Sequence, residues 1–180
     1  MTRDTVRDQA IGKLTELIGQ IRIAMLTTIT EEGAFRSRPI TTHGARFDGD
    51  LWFLTRIDSG KLDQVRQHRR VGLTYTRLTD NTYVALSGTA QVIVDQGKAQ
   101  QLWDPSYQAW FPGGPSDPDL ALIKVTVDLA EYWAAPALTW PLSAGFVIMA
   151  PDKRDDPQFH ARIALDPRAR AAPSDPQAPD

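Results

Sequence analysis

Residues 51–61 have the sequence LWFLTRIDSGK, in which a predicted buried strand runs directly into the start of a predicted helix. The first five residues are almost continuously hydrophobic, which predicts a strand covered on both faces. A short helix is predicted over residues 60–68, because Leu62 and Val65 have the spacing of one buried helix face. This strand and helix form the unit to which the rest of the predicted fold is attached.

Further strands are predicted on both sides of this unit. Turn residues separate stretches rich in β-branched and aromatic side chains, and Gly88 inside one stretch indicates a bulge or a close backbone approach. The predicted strands cover residues 21–30, 34–47, 51–55, 71–75, 82–94 and 121–133, and further helices cover residues 4–20 and 96–103. Six strands and few helices favour a mainly β fold, a closed antiparallel barrel with peripheral helices. The proline-rich stretch 104–119 is predicted as an ordered excursion or a loop.

The composition favours a single domain. The chain has 180 residues, 42% of them hydrophobic and 23% charged, which is enough for one core. We assign this domain to residues 1–150, because residues 151–180 carry much proline and charge and few apolar side chains, which predicts a flexible tail. Twenty basic residues against 22 acidic ones give a net charge of −2, which argues against nucleic acid as a partner.

The cysteine count and the apolar runs restrict the chemistry and the location. The chain has no cysteine, which excludes disulfides, thiol nucleophiles and cysteine-ligated metals. No apolar run approaches the length that spans a membrane, and the first residues lack an apolar signal core. We therefore expect a soluble, cytoplasmic protein without a membrane partner.

Familiar catalytic and metal motifs are missing from the sequence. His43, His68 and His160 have no common spacing, which argues against a metal site. Ser87 lacks the surroundings of a nucleophile elbow, and the glycines at 113 and 114 do not belong to a phosphate loop or a dinucleotide fingerprint. No residue is nominated as a catalytic acid or base.

A small anion site is predicted where the central strand meets its helix. Thr55, Ser59 and Lys61 can place two hydroxyls and an ammonium beside the free N–H groups of the first helical turn. Arg36 and Arg38 share one face of a neighbouring strand and add positive charge. The alternative is that Ser59 only caps the helix and Lys61 is an ordinary surface lysine.

Several motifs together resemble the FMN-binding split barrels related to pyridoxamine phosphate oxidase, most closely their bacterial general stress protein branch. Each motif is weak alone, but their order along the chain matches that family between residues 11 and 133. They are Arg38-Pro39, LWFLT at 51–55, Ser59-x-Lys61, YVALSGTA at 83–90, LWDP at 102–105 and WFPGG at 110–114.

The resemblance implies a six-stranded antiparallel split barrel with peripheral helices that forms a homodimer, with two FMN molecules in clefts between the subunits. The residues implied to contact the flavin lie on three strands, one helix start and one loop. Arg38, Pro39, Ile40 and Thr41 would line the ring and ribityl chain, Leu54 and Thr55 would flank the flavin, Ser59 and Lys61 would hold the phosphate, Tyr83 would make a polar contact, and Trp110 would be a further wall of the cleft.

Two departures from the vitamin-related oxidases shape the functional prediction. Gly60 and Thr42 stand where those oxidases carry cations, and their C-terminal Arg-x-His substrate motif is absent after Trp133. We therefore predict an FMN-binding general stress protein, a flavin-dependent oxidoreductase whose substrate is unknown, with a small-molecule electron donor or acceptor. FAD stays possible as the flavin. The alternatives are a pyridoxamine phosphate oxidase and a non-enzymatic module that binds or senses flavin, haem or deazaflavin.

Overall fold

The structure is a computed structural model, and it describes residues 3–42, 47–134 and 160–165. Helices and strands follow the predicted order, with one additional strand after residue 150. The helices are α1 (Arg3–Ile18), α2 (Gly60–Gln67) and α3 (Gln96–Leu102), and the strands are β1 (Ile23–Ile29), β2 (Phe35–Thr41), β3 (Asp50–Arg56), β4 (Arg70–Arg77), β5 (Thr82–Ile93), β6 (Leu120–Ala134) and β7 (His160–Ala164).

The strands form one antiparallel sheet that curves around a core but does not close. Its order is β2-β1-β4-β5-β6-β3, with β7 added to the free part of the β6 edge. Within the described residues β2 pairs only with β1, and β3 pairs only with β6, so both are edge strands. The split barrel implied by the motifs is thus confirmed. Full closure, inferred from the number of strands, is wrong because strand patterns do not reveal which edges pair.

Side chains on the two faces of β3 belong to two separate hydrophobic clusters. Leu51 and Phe53 point into the main core inside the sheet, together with Leu62 and Val65 of α2. Leu54 points outward, into a second cluster with α3 and the segment that follows it. This continuous burial explains why the strand has no polar face, and it confirms the prediction from the sequence.

The stretch 104–119 is an ordered excursion and not a loose loop. Two short 3-10 helices, Pro105–Ala109 and Gly114–Ser116, hold it together, and Asp104 caps the first by accepting a hydrogen bond from the amide of Ser106. Its buried Tyr107 and Phe111 pack in the outer cluster with Trp103. The excursion therefore covers the outer face of β3.

The final described strand corrects the prediction of a flexible tail. Residues 160–164 form β7, which pairs with Leu129 to Trp133 of β6, and Leu165 is buried in the main core. By pairing with the edge of β6, this short segment gains backbone hydrogen bonds. Amino-acid composition does not reveal such bonds, so the small number of apolar residues led to the wrong prediction for residues 160–165. The remainder of 151–180 lies outside the described residues, so the domain boundary at 150 stays a prediction.

Candidate functional site

The junction between β3 and α2 brings Thr55, Ser59 and Lys61 into one cluster. The Lys61 ammonium donates to Thr55 Oγ1 at 2.6 Å and to Ser59 Oγ at 2.7 Å. Ser59 occupies the N-cap position of α2, but its side chain makes no capping hydrogen bond. The hydroxyl thus serves Lys61 and not the helix end, and Lys61 is half-buried. The alternative of a simple cap and an ordinary surface lysine does not describe this arrangement.

Arg38 approaches the same helix from β2. Its guanidinium donates to the hydroxyl of Thr28 and, at 2.6 Å, to Oε1 of Gln64 on α2. Thr28 in turn donates to the same Gln64 oxygen at 2.6 Å, and it is completely buried. The arginine is therefore held in place by neutral acceptors. We call Arg38, Thr55, Ser59 and Lys61 the cation cradle.

Among the residues that the structure describes, no carboxylate bonds directly to the positive charges of the cation cradle. No ion pair among the described side chains includes Arg38 or Lys61. Asp58 lies nearby, but its two oxygens accept from Arg56 at 3.1 Å. An anion that entered the cradle would meet two cations to which no described carboxylate is bonded.

The electrostatics of the cradle favour the arrival of negative charge. Burial and the neighbouring Arg38 lower the pKa of Lys61, with a smaller opposing effect from Asp58. Burial and then Arg36 lower the pKa of Arg38. Both shifts mean that the cationic forms are less stable here than in water, and a bound anion would reverse that effect.

A cavity of about 560 Å³ lies at the other end of the two edge strands. Its floor consists of buried side chains, including Ile18 of α1, Phe47, Leu51 of β3 and Tyr75 of β4. Its rim includes Trp110, whose side chain is 69% exposed. This volume is within the usual range for small-molecule sites.

The cation cradle and the cavity are connected by the edge strands themselves. On β2, Arg38 in the cradle and Thr41 at the cavity are three residues apart, about 10 Å of strand. On β3, Thr55 in the cradle and Leu51 at the cavity are four residues apart, about 13 Å. Arg38 and Thr41 project to opposite faces of β2, so a ligand could run from the cradle to the cavity only along the edge of the strand.

The other predicted contacts on β2 and β3 differ in what they can offer a ligand. Pro39 and Thr41 are exposed, and Thr41 lies at the cavity. Ile40 and Leu54 are buried in the two clusters, so their side chains are occupied by packing. A ligand could bind these two residues only through their backbone N–H and C=O groups. As edge strands, β2 and β3 present groups of this kind along their free edges.

Tyr83 is the predicted residue that the structure does not bring to this site. Leu54 pairs with Leu122 of β6, whereas Tyr83 pairs with Trp133 of the same strand. Eleven residues of β6, roughly 35 Å, separate the two positions. Within one subunit Tyr83 therefore stands apart from the cation cradle.

Three site residues were missed by the sequence analysis. Thr28 and Gln64 position Arg38, and Tyr75 forms part of the cavity floor. Gln64 follows Lys61 by about one helical turn, which places it on the same side of α2 and could have suggested it. For Thr28 and Tyr75 the strand pattern indicates burial, but it does not show which ligand-binding group lies next to them.

The described part of the chain shows neither a metal-binding cluster nor a membrane-spanning helix. Its histidine and acidic side chains form no group that could hold a metal ion. Its helices are all too short or too polar to cross a membrane.

Comparisons with known proteins show which family the sequence matches. A family model described as "Pyridoxamine 5'-phosphate oxidase like" matches residues 9–150. Protein bli-3 of Neurospora crassa is 28% identical over 135 residues, which is 69% of this chain and 65% of that protein. The chain thus spans less than two thirds of the length of this curated relative.

Solved structures of general stress proteins have the same fold. The general stress FMN/FAD binding protein of Xanthomonas citri is 27% identical, and the match has a TM-score of 0.63 and covers 79% of this chain and 99% of that one. General Stress Protein 26 of Bacillus anthracis is 24% identical, with a TM-score of 0.61 over 69% and 93% of the two chains.

Proposed function

Because the chain belongs to the pyridoxamine 5'-phosphate oxidase like family, we propose that it binds FMN along the open edge of its split barrel. The phosphate would occupy the cation cradle, and the flavin would extend along β2 and β3 toward the cavity. The observation that carries this proposal is the pair Arg38 and Lys61, two half-buried cations without a carboxylate in contact among the described residues.

The cradle has the chemistry that a phosphate monoester requires. Arg38 and Lys61 supply charge-assisted donors, and Thr55 and Ser59 supply hydroxyls that can donate once Lys61 turns to the ligand. The first amides of α2 also lie at the positive end of the helix dipole. The flavin-binding relative from Xanthomonas citri supports the choice of a flavin among phosphate compounds.

The bound flavin would supply the redox chemistry, and the protein would supply binding and orientation. We propose an oxidoreductase that exchanges electrons between the flavin and a small molecule. The cavity supports this assignment, because it offers space for such a molecule where β2 and β3 lead away from the cradle. Its lining combines buried apolar side chains, among them Ile18, Phe47 and Leu51, with polar groups that could orient the molecule.

Comparing FMN with riboflavin tests the proposal, because riboflavin lacks only the phosphate. We expect the absorption spectrum of the purified protein to be that of a flavin, which also separates flavin from haem and deazaflavin. In a fluorescence titration of flavin-free protein, FMN should bind at least tenfold more tightly than riboflavin, as one charge-assisted hydrogen bond contributes about 1.5–3 kcal/mol. Equal affinities for the two would contradict a phosphate site at the cradle.

We also propose that two copies associate through the outer face of β1 and β2. Ile23 is 60% exposed, Met25 41% and Phe35 80%, and they lie on one face of this strand pair. Pro39 pairs with Met25 and extends the same apolar surface. Such a surface on a folded chain is typical of a protein interface. In a homodimer, the Tyr83 contact implied by the family would come from the second subunit.

A further inference from the structure

Gln64 on α2 is the acceptor that links this helix to Arg38. Its Oε1 accepts one hydrogen bond from Arg38 Nη2 and another from the hydroxyl of Thr28, both at 2.6 Å. The Thr28 hydroxyl in turn accepts from Nη1 of the same guanidinium. Thr28 is completely buried, so its hydroxyl cannot exchange these bonds for bonds to water. The three side chains therefore form one closed hydrogen-bonded ring.

This ring occupies one side of the Arg38 guanidinium and leaves another side free. Thr28 Oγ1 and Gln64 Oε1 lie 2.6 Å apart and bond to the two terminal nitrogens, much as the two oxygens of a carboxylate do in an end-on pair. A guanidinium has five N–H donors, and the Nε–H of Arg38 donates to none of the described residues. The Nε–H and the second N–H of Nη2 thus form a planar fork that matches two oxygens of a phosphate.

Gln64 holds the guanidinium without neutralising it. No ion pair among the described side chains includes Arg38, and the amide oxygen of Gln64 carries no full charge. A carboxylate in the same place would accept the same bonds and would also cancel the charge of the arginine. Because Arg38 is half-buried, water would screen such a pair less than a pair on the surface. An acid at position 64 would therefore compete with a phosphate for Arg38.

We propose that Gln64 is a positioning residue of the phosphate site, which fixes the Arg38 guanidinium by its two terminal nitrogens and leaves the Nε side and the full charge to a phosphate monoester. This inference rests on the proposed function, because the phosphate is that of the flavin. Gln64 acts through Arg38, so its neutral amide determines how strongly the cation cradle prefers a phosphorylated flavin over an unphosphorylated one.

Gln64→Glu tests this role, because the carboxylate has the shape of the amide and still accepts both hydrogen bonds. Flavin-free protein is titrated with FMN and with riboflavin, and binding is followed by flavin fluorescence. We expect the preference for FMN to fall about tenfold or more, the effect of losing one charge-assisted bond, while riboflavin affinity stays unchanged. Urea unfolding should show no loss of stability in this variant, which separates the effect from a purely structural role.

Two further variants complete the experiment. Gln67→Glu is the matched control, because it places the same charge at the exposed last residue of α2, and it should keep the FMN preference. Arg38→Lys keeps the positive charge but has no planar fork. It should lower the FMN preference about three- to tenfold, the loss of one hydrogen bond.

A wild-type FMN preference in Gln64→Glu would overturn the inference, and so would equal losses of preference in Gln64→Glu and Gln67→Glu. Parallel losses of FMN and riboflavin affinity, or a destabilised Gln64→Glu protein, would show a structural role instead. An unchanged preference in Arg38→Lys would contradict the fork. A wild-type protein that binds FMN and riboflavin equally well is a separate result, and it would reject the proposed function itself.

Discussion

At the scale of single residues, Lys61 derives its importance from its neighbours. Its ammonium contacts two hydroxyls and is affected by the charge of Arg38, while Asp58, an acid whose charge also acts on it, is bonded to Arg56. A surface lysine in water would lose little free energy by remaining unpaired. Here partial burial makes the unpaired charge costly, and an incoming phosphate relieves that cost.

Replacing Lys61 tests its share in phosphate binding. Lys61→Met should weaken FMN binding by about 1.5–3 kcal/mol, because one charge-assisted bond is lost. Riboflavin binding should change much less. Lys98→Met is the matched control, because that lysine lies over the Trp52 ring, at 4.7 Å from its centre, outside the cradle. Fluorescence titrations of both variants with both flavins make the comparison, and equal effects of the two substitutions would remove Lys61 from the phosphate site.

The lowered pKa of Lys61 also predicts how FMN binding depends on pH. The cationic lysine binds phosphate, so the affinity should fall as the pH rises through the lowered pKa of this group in the free protein. Lys61→Arg keeps its charge over the same range and should show a flatter profile. Titrations at successive alkaline pH values measure both slopes. Parallel profiles would mean that another group controls the pH dependence.

At the scale of secondary-structure elements, β5 and β6 approach each other so closely at one point that only glycine fits. The register of the pair shifts between Ser87 and Gly88. A Cβ built on Gly88 would lie 2.4 Å from the backbone oxygen of Thr126, which cannot move without breaking the sheet. The predicted bulge is therefore confirmed, and its cause is the close approach of the β6 backbone.

Gly88→Ala should accordingly destabilise the protein by about 1–3 kcal/mol, the usual cost of forcing atoms into a packed region. Gly72→Ala on β4 is the control, because a Cβ there would have its nearest neighbour at 3.7 Å. Urea unfolding monitored by tryptophan fluorescence gives both free energies of unfolding. The explanation fails if the two alanine variants are equally stable.

The pairing of β7 with β6 is a second property of the secondary-structure elements, and it makes a polar segment part of the sheet. Leu165→Ala should lower the free energy of unfolding by about 2–3 kcal/mol, since the leucine is 8% exposed within the main core. Removing residues 160–180 should destabilise the protein more than removing residues 166–180, which leaves β7 in place. Thermal melts of the three variants test this order, and an unchanged melting temperature without β7 would show that the pairing contributes nothing.

At the scale of the whole molecule, the open sheet exposes two surfaces that could bind a partner. The edges of β2 and β3 connect the cation cradle with the cavity, while the outer face of β1 and β2 exposes Ile23, Met25 and Phe35. A ligand suits the first surface and a second copy of the chain suits the second. Both surfaces share β2, so association of two copies would place the flavin beside the subunit interface.

Met25→Glu tests the association by placing a charge in the centre of this apolar face. Light scattering should give twice the chain mass for the wild-type protein and a smaller mass for the variant. Leu78→Glu is the control, because Leu78 is 74% exposed but lies in the turn after β4. A wild-type protein that is monomeric and still binds FMN would contradict the proposed interface.

The local elements and part of the cradle could be predicted from residue patterns along the chain. The hydrophobic period located α2 and β3, and hydroxyl and ammonium groups within one helical turn predicted the contact of Thr55, Ser59 and Lys61. These predictions succeeded because neighbours along the chain are held at fixed distances by strand and helix geometry. The irregularity at Gly88 could be predicted because a glycine inside a strand pattern marks a bulge or a close backbone approach, although the pattern does not say which segment approaches.

Contacts between distant segments, in contrast, became known from the folded chain alone. Arg38 reaches Gln64 across 26 residues, Tyr75 lines a cavity together with residues from remote parts of the chain, and residues 160–164 pair with β6. Tyr83, in turn, is far from the cradle although its motif pointed to the site. Side-chain contacts between remote segments depend on strand order and register, and a periodic pattern specifies which face of a strand is buried without specifying what lies against it.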